Sequence, residues 1–207
     1  MKKRNQQFGF TLMELVTVIA ILSSLLLFLV KINFSGNDAS QSIKLAIKML
    51  AANFDNARTQ AISHNFSTCL AIDTDVNSKY QYRRIAIYYI QNNIWKLQQI
   101  VILPERTFVI PFTNLTTIFT SLSSQSSYTY LEGECSINGE DISCYYFEFN
   151  NGGIMSKGGR LIGVGYGELD GSNVIIGEDG GVMGVFILGN GQQLILESKS
   201  AIEGILK

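Results

Sequence analysis

A run of residues from Phe10 to Val30 is almost wholly apolar, and it constrains the chain more than any other segment. Its interruptions are Thr11, Glu14, Thr17, Ser23 and Ser24. As an α-helix the run would extend about 31 Å, which is enough to cross the hydrocarbon core of a bilayer. A secretory signal peptide has a shorter apolar region of about 7–15 residues followed by a small-residue cleavage site, and this segment does not have that form. We therefore predict a transmembrane helix over residues 10–30.

The charges that flank this run predict its orientation. Lys2, Lys3 and Arg4 precede it, whereas only Lys31 follows closely. Because cytoplasmic flanks carry the excess of basic residues, the N-terminus should lie in the cytoplasm and the following chain should face outward. On these residues alone, the segment could be a plain single-pass anchor.

Glu14 is the one carboxylate inside the apolar run. An ionised group at mid-membrane costs about 2.5–3.5 kcal/mol on insertion scales, and such residues are functional candidates by default. The alternative is a carboxylate near the cytoplasmic end that reaches the head groups. The two interpretations differ in whether Glu14 needs a cationic partner inside the membrane.

The segment Phe8-Gly9-Phe10-Thr11-Leu12-Met13-Glu14, after a basic leader and before an apolar helix, resembles the processing site of type IV pilins and type II secretion pseudopilins. The resemblance implies that residues 1–9 are a leader, removed after Gly9 by a prepilin peptidase that then methylates the new amino group of Phe10. It also implies that Glu14 faces the amino terminus of a neighbouring subunit during assembly. A buried carboxylate is tolerated in lipid when a cation pairs with it, which agrees with that role.

Residues 31–64 combine a break with an amphipathic helix. Gly36 lies in a stretch of breaker residues, so continuity with the apolar helix stays open. Apolar residues then recur at steps of three and four over about Gln41 to Ser63, which predicts a helix with one buried face. That face consists of Ile43, Ile47, Leu50, Phe54, Ala57 and Ala61, and the polar side chains expected opposite are Lys44, Lys48, Asn53, Arg58 and Gln60.

Residues 65–207 show the pattern of short strands joined by tight turns. Gln91-Asn92-Asn93 and Gly189-Asn190-Gly191 each separate two apolar segments and predict hairpins. Further strands are predicted at 66–72, at 108–112 and around the alternating segment 145–149. Together with the helices, this predicts an α+β fold in which a long N-terminal helix, transmembrane and then amphipathic, packs on antiparallel β-sheets.

A second pattern lies at the predicted end of the amphipathic helix. Ala57-Arg58-Thr59-Gln60-Ala61-Ile62-Ser63-His64-Asn65, running into a strand, is similar to the H-type minor pseudopilins and the related FimT-like minor pilins. Phe147 to Gly153 and the final glycine hairpin also look like the sheet of that family. The fold which this resemblance implies is the one that the periodicity predicts independently.

Two of the three cysteines, Cys135 and Cys144, flank a short polar segment. If Asn138 to Asp141 form a four-residue loop, the two cysteines lie opposite each other, whereas a two-residue loop at Asn138-Gly139 would offset them by two. We predict the four-residue loop and a Cys135–Cys144 disulfide, because an outward-facing domain would be in an oxidising compartment. Cys69 is expected to be a buried strand thiol, with intermolecular pairing as the alternative.

Composition argues against catalysis and against nucleic-acid binding. With 16 basic and 17 acidic residues and a single histidine, His64, the chain lacks the basic excess of a nucleic-acid binder and the material of a His-based active site. Asp73 to Asn77 begins like a calcium loop, but Ser78 and Arg84 stand where an EF-hand needs Gly and Glu, so solvated acids are expected there. Glycines at 163, 165 and 167 lack the context of a phosphate loop. We expect no enzyme activity, no cofactor and no metal, with calcium at the acidic 132–141 hairpin as a weaker alternative.

The resemblances together predict a minor pseudopilin of a type II secretion system, with a minor pilin of a type IV pilus as the alternative. Its partners would be the prepilin peptidase, other pseudopilins or pilins that bind through the N-terminal helix, and the bacterial inner membrane. The β-rich domain would be periplasmic. An envelope enzyme or ligand-binding domain on a plain anchor is the contrasting hypothesis.

Overall fold

In a computed structural model of the 207-residue chain, the protein divides into two compact units, Met1–Asp38 and Ala39–Lys207. The residues that the structure describes are 13, 16–19, 21–23, 38–92, 94–119, 122, 130–157, 159–177 and 181–206.

In the first unit, the described residues 13, 16–19 and 21–23 are helical. Their apolar side chains are exposed, from 45% for Val18 to 77% for Met13. The Thr17 hydroxyl donates to the carbonyl of Met13 at 2.6 Å, one helical turn back. No helix among the described residues is long and apolar enough to cross a membrane, and much of the predicted span over 10–30 lies outside them. Gly36 also lies outside the described residues.

Helix α1 spans Asp38–His64 and begins three residues before the predicted start. Its predicted apolar stripe is confirmed, since every member is at most 1% exposed: Ile43, Ile47, Leu50, Phe54, Ala57 and Ala61. The opposite face is as expected at Lys44 and Lys48, which are exposed. Asn53 was wrongly placed there: it is buried, and its amide donates to the Met49 carbonyl at 2.7 Å. That bond satisfies a polar group which would otherwise be costly to bury.

Five antiparallel strands form sheet 1 in the order β3-β2-β1-β6-β5. Their bounds are β1 Ser67–Asp73, β2 Arg84–Gln91, β3 Ile94–Ile102, β5 Leu131–Ile137 and β6 Glu140–Phe149. The first predicted hairpin is confirmed, because β2 pairs with β3 from Gln91 opposite Ile94.

Sheet 2 is also antiparallel, with the order β10-β9-β7-β4 and with β8 paired to β7. The strands are β4 Thr107–Val109, β7 Arg160–Asp170, β8 Asn173–Ile176, β9 Val182–Ile187 and β10 Gln193–Leu196. The second predicted hairpin is confirmed as β9–β10. Two short helices were not predicted, α2 Phe112–Ile118 and α3 Lys199–Ile205.

The main core is shared by α1 and both sheets. Phe54 of α1 meets Phe147 and Phe149 of β6 edge to face, with ring centroids 5.3 and 6.3 Å apart. Leu161 of β7 and Val185 of β9 belong to the same cluster. The predicted α+β fold class, a helix packed on antiparallel sheets, is therefore confirmed for the second unit.

Glycines at alternate positions of β7 let other elements approach this strand closely. A Cβ atom at Gly163 would collide with Leu115 of α2, and one at Gly165 or Gly167 would collide with Ile176 or Ile175 of β8. The glycine-rich segment is thus a packing surface inside a strand, which explains its composition without a phosphate ligand.

Sheet 1 curls strongly away from α1, so that its outer face encloses a second, smaller core. Trp95 on β3 contacts Tyr146 on β6 with ring centroids 5.8 Å apart, although β2 and β1 lie between these strands. The hydroxyl of Tyr88 on β2 donates to the Ser136 carbonyl on β5 at 3.0 Å. We call this cluster the outer core; its buried members are Cys69, Ala71, Ala86, Tyr88, Cys135, Ile137, Ile142 and Cys144.

Candidate functional site

The predicted processing and assembly residues, Gly9, Phe10 and Glu14, lie outside the described residues. Their roles therefore stay predictions. The structure does describe the folded unit that follows them and the surroundings of the other residues singled out in the sequence.

An exposed stripe runs along α1 opposite its buried face. Its exposed members are Gln41, Lys44, Leu45, Lys48, Ala52, Asp55, Thr59, Ile62 and Ser63. Leu45 is 53% exposed and Ile62 is 49% exposed, so the stripe carries apolar as well as charged side chains. The repeat of these positions at steps of three and four gives a continuous face along the helix.

The residues of the sequence pattern at the end of α1 attach the helix to β1 and to the turn after β6. Ala57 and Ala61 are fully buried, and the Thr68 hydroxyl of β1 donates to the Ala57 carbonyl at 2.8 Å. Arg58 donates from Nε to the carbonyl of Gly153 at 3.3 Å. Asn65, with φ of 55°, ends the helix in the left-handed conformation that Asn adopts more readily than most residues.

The segment Phe147 to Gly153, which belongs to the same family resemblance, packs against the end of α1. The Asn150 side-chain oxygen accepts hydrogen bonds from the backbone N–H groups of Gly152 and Ile154, both at 3.0 Å. Gly153 has φ of 71°, and a Cβ atom there would collide with Ile62 of α1. The two patterns thus fix the turn after β6 against the end of α1, which is a packing role.

Asp73 corrects the expectation of solvated acids after β1. Its side chain is fully buried, and its Oδ2 atom lies 2.8 Å from Nη2 and 3.0 Å from Nε of Arg84. Its carboxylate also accepts from the Ser78 hydroxyl and from the Asp75 N–H. The expectation failed because Arg84, eleven residues later, returns to this carboxylate at the start of β2, and local composition does not reveal that pairing.

Metal ligation finds little support in this geometry. The Asp73 oxygens are already occupied by Arg84 and the loop donors. Across the residues described, no group of three or more His, Cys, Asp or Glu side chains is arranged to hold a metal ion. The acidic residues of the β5–β6 hairpin, Glu132, Glu134, Glu140 and Asp141, are all exposed.

His64 lies exposed at the last position of α1, with its ring stacked on Phe66 at a centroid distance of 5.4 Å.

The predicted loop between Cys135 and Cys144 is wrong. Strands β5 and β6 are joined by the two-residue turn Asn138-Gly139, since Ile137 pairs with Glu140. Both turn residues have positive φ, 54° and 87°, as the tight hairpin turn favoured by Asn-Gly requires. Cys135 therefore lies opposite Ile142, and Cys144 lies opposite Gly133.

All three cysteines are free thiols in this structure, and all are buried in the outer core. Cys69 is fully buried on β1, which confirms the expectation of a buried strand thiol. Burial, together with the nearby Glu148, raises the pKa of the Cys69 thiol well above its ordinary value. That thiol is therefore a poor nucleophile at neutral pH.

Comparison with known proteins finds a family motif at the N-terminus of the chain. Residues 4–30 match the family model described as the prokaryotic N-terminal methylation motif. The match confirms the resemblance found at the N-terminus, because these residues carry the methylation motif by which the sequence resembles type IV pilins and pseudopilins. No curated protein matches the chain.

Two solved structures are similar to it. The type IV minor pilin FimU of Pseudomonas aeruginosa is 11% identical with a TM-score of 0.46, over 75% of this chain and 88% of that one. The minor pseudopilin EpsH from the Type 2 Secretion System of Vibrio cholerae is 12% identical with a TM-score of 0.43, over 75% of this chain and 96% of that one.

Proposed function

We propose that this chain is a minor pseudopilin, a structural subunit of the pseudopilus of a type II secretion system. The observation that carries the proposal is the methylation motif over residues 4–30, placed directly before a self-contained α+β unit. A signal for processing at the membrane, followed by one folded unit on a helix, is the organisation of a filament subunit.

Maturation would proceed from the N-terminus. A prepilin peptidase would hydrolyse the bond after Gly9 on the cytoplasmic side of the inner membrane and would methylate the amino group of Phe10. Residues 10–30 would hold the subunit in the membrane as a single pass, with the cytoplasmic flank marked by Lys2, Lys3 and Arg4. The second unit would then lie in the periplasm.

Glu14 would select and align subunits during assembly. Its carboxylate would pair with the amino terminus of a neighbouring subunit, because an unpaired charge in hydrocarbon is costly and a paired one much less so. The exposed stripe of α1 offers neighbouring subunits a helical face with apolar side chains at Leu45 and Ile62. This role is structural and involves no chemistry by the chain itself.

The alternative is a minor pilin of a type IV pilus. A role in DNA uptake is disfavoured by the C-terminal segment, which would have to supply clustered basic groups. That segment instead forms α3, capped by the Ser198 hydroxyl, which accepts from the Ala201 N–H, and anchored by the fully buried Ile202. It has no arginine, and its lysines are Lys199 and Lys207.

Deletion of the chain from its host separates the two functions. For a pseudopilin, the extracellular level of type II secretion substrates falls and the substrates accumulate in the periplasm, while surface pili are unchanged. Loss of surface pili with normal export would favour the minor pilin instead. Complementation with the intact chain controls for effects on neighbouring genes.

Glu14→Leu should separate processing from assembly. The variant is expected to be cleaved and methylated normally, but to enter cross-linked complexes with other pilin-like subunits at least about tenfold less, because losing a buried ion pair costs about 3–5 kcal/mol. Cysteine cross-linking in membranes, followed by immunoblotting, measures this. Val18→Leu, an apolar change in the same segment, is the matched control. Unchanged cross-linking of Glu14→Leu would remove Glu14 from the proposed assembly contact.

A further inference from the structure

We propose that Cys135 and Cys144 form a dithiol site that a disulfide donor oxidises to a diagonal cross-strand disulfide, with Cys69 remaining a thiol. The inference rests on the proposed function, because that function places the second unit in an oxidising compartment. The direct pairing predicted from the sequence is replaced by a diagonal one, which the observed register brings about.

The register puts the two cysteines on the same face of neighbouring strands. Cys135 is opposite Ile142, and Cys144 is two residues further along β6, so both side chains point into the outer core. Diagonal neighbours of this kind are about 7–8 Å apart between Cα atoms, and their Cβ atoms are somewhat closer. Disulfides span Cα distances up to about 7 Å, so the bond requires a small shift of the hairpin backbone.

Strand β5 places no side chain of its own opposite Cys144, because the residue there is Gly133. The ring of Tyr146 covers this glycine, since a Cβ atom at Gly133 would lie 3.1 Å from Tyr146 Cε1. Interaction with the neighbouring Cys144 thiol lowers the pKa of Cys135. The same interaction, followed by burial, raises the pKa of Cys144. One thiol is thereby favoured as the attacking thiolate and the other as the thiol that resolves the intermediate.

The position of Cys69 in sheet 1 excludes it from a disulfide with Cys144. It lies on β1 opposite Tyr88 and Glu148, whereas Cys144 lies opposite Asp73, four residues further along the same strand. Four residues of a strand cover about 13 Å, which is beyond the reach of a disulfide. Of the three thiols in the outer core, Cys135 and Cys144 are therefore the pair that a small shift of one hairpin can join.

The disulfide would form by ordinary thiol–disulfide exchange. The Cys135 thiolate attacks a sulfur of the donor disulfide, releasing one donor thiolate and forming a mixed disulfide; Cys144 then attacks the Cys135 sulfur and releases the second donor thiolate. The two cysteines lose two protons and two electrons in total, and the donor is reduced to two thiols. The bond would link β5, an edge strand of sheet 1, to β6 near their turn.

The test uses the full-length chain purified in detergent and equilibrated with oxidised glutathione. Free thiols are alkylated under denaturing conditions, and the protein is digested with a glutamate-specific protease. Cleavage after Glu140 separates the two cysteines, which trypsin would leave on one peptide of residues 107–157. We expect a disulfide-linked pair of peptides containing Cys135 and Cys144, lighter by two hydrogen atoms than the thiol forms, and alkylated Cys69. A disulfide that includes Cys69, or three alkylated cysteines, would overturn the proposal.

Two cysteine variants and the redox state of the pair in cells complete the test. Cys69→Ala should form the disulfide as the parent does, whereas Cys144→Ala should leave Cys135 alkylated. Reductant should lower the melting temperature of Cys69→Ala by several degrees and leave that of Cys144→Ala unchanged; equal responses would count against the bond. If the pair forms with glutathione but is found reduced in cells, the periplasmic location in the proposed function is contradicted and the pairing itself stands.

Discussion

Phe54→Ala is expected to lower the free energy of unfolding of the second unit by about 3–5 kcal/mol. Phe54 is fully buried at the centre of α1, and its ring meets Phe147 and Phe149 of sheet 1 edge to face. Truncation removes both ring contacts and leaves a cavity between the helix and the sheet, where the strands cannot collapse without breaking their pairing. Urea denaturation of the full chain in detergent, followed by the fluorescence of its single tryptophan, Trp95, measures the loss.

Leu45→Ala is the matched control, because it truncates an apolar side chain on the same helix at a position that is 53% exposed. We expect a change of at most about 0.5 kcal/mol in the free energy of unfolding. Similar losses for the two variants would mean that α1 does not pack on the sheets through the Phe54 face.

Asp73→Ala is expected to destabilise the same unit by about 3–5 kcal/mol. The carboxylate is fully buried and bonded to Arg84, whose side chain is only 13% exposed. Removing it leaves the guanidinium uncompensated in a poorly solvated place, and the loop N–H of Asp75 and the Ser78 hydroxyl lose their acceptor. The same urea titration reports the loss.

A surface ion pair provides the comparison for Asp73. Glu168 pairs with Arg106 at 2.9 Å, but the two side chains are 75% and 55% exposed. Exposed pairs contribute about 0–1 kcal/mol, so Glu168→Ala should have little effect on unfolding. A loss at Asp73→Ala as small as that at Glu168→Ala would show that the Asp73–Arg84 pair is solvated in solution.

Periodic signals in the sequence predicted the elements that have one buried face. The stripe from Ile43 to Ala61 identified the helix and its buried residues, because one side of an amphipathic helix must meet a core. The hairpin at Gly189-Asn190-Gly191 was predictable for a similar local reason, since Gly191 has φ of 81°.

Features that depend on distant pairing were not predictable in this way. The glycine-rich strand β7 has no apolar alternation at Gly163, Gly165 and Gly167, because their role is to admit α2 and β8. The curling of sheet 1, which buries all three cysteines, arises from strand order and twist. The Asn138-Gly139 turn was predictable, because Asn-Gly favours a two-residue hairpin turn. Of the two loop lengths considered, the prediction chose the four-residue loop, which is wrong.

The residues of the candidate site also differ in how far sequence alone can predict their roles. Gly9, Phe10 and Glu14 form a linear motif, so sequence suffices to propose their roles. Arg58 and Asn65, singled out through a family pattern, proved to hold the end of α1 against the turn after β6: Arg58 donates to the Gly153 carbonyl, and the Asn65 side-chain oxygen accepts from the Asn151 amide at 3.2 Å. That role depends on a contact between segments about 95 residues apart, which no local pattern contains.

The most direct test of the proposed function is the intact mass of the membrane-extracted chain after co-expression with a prepilin peptidase. A pilin-like filament subunit predicts the mass of Phe10–Lys207 plus one methyl group, and Gly9→Val should instead retain the mass of Met1–Lys207. If the unsubstituted chain also keeps the full mass, the leader is only the flank of a membrane anchor, and a role as a processed filament subunit is contradicted.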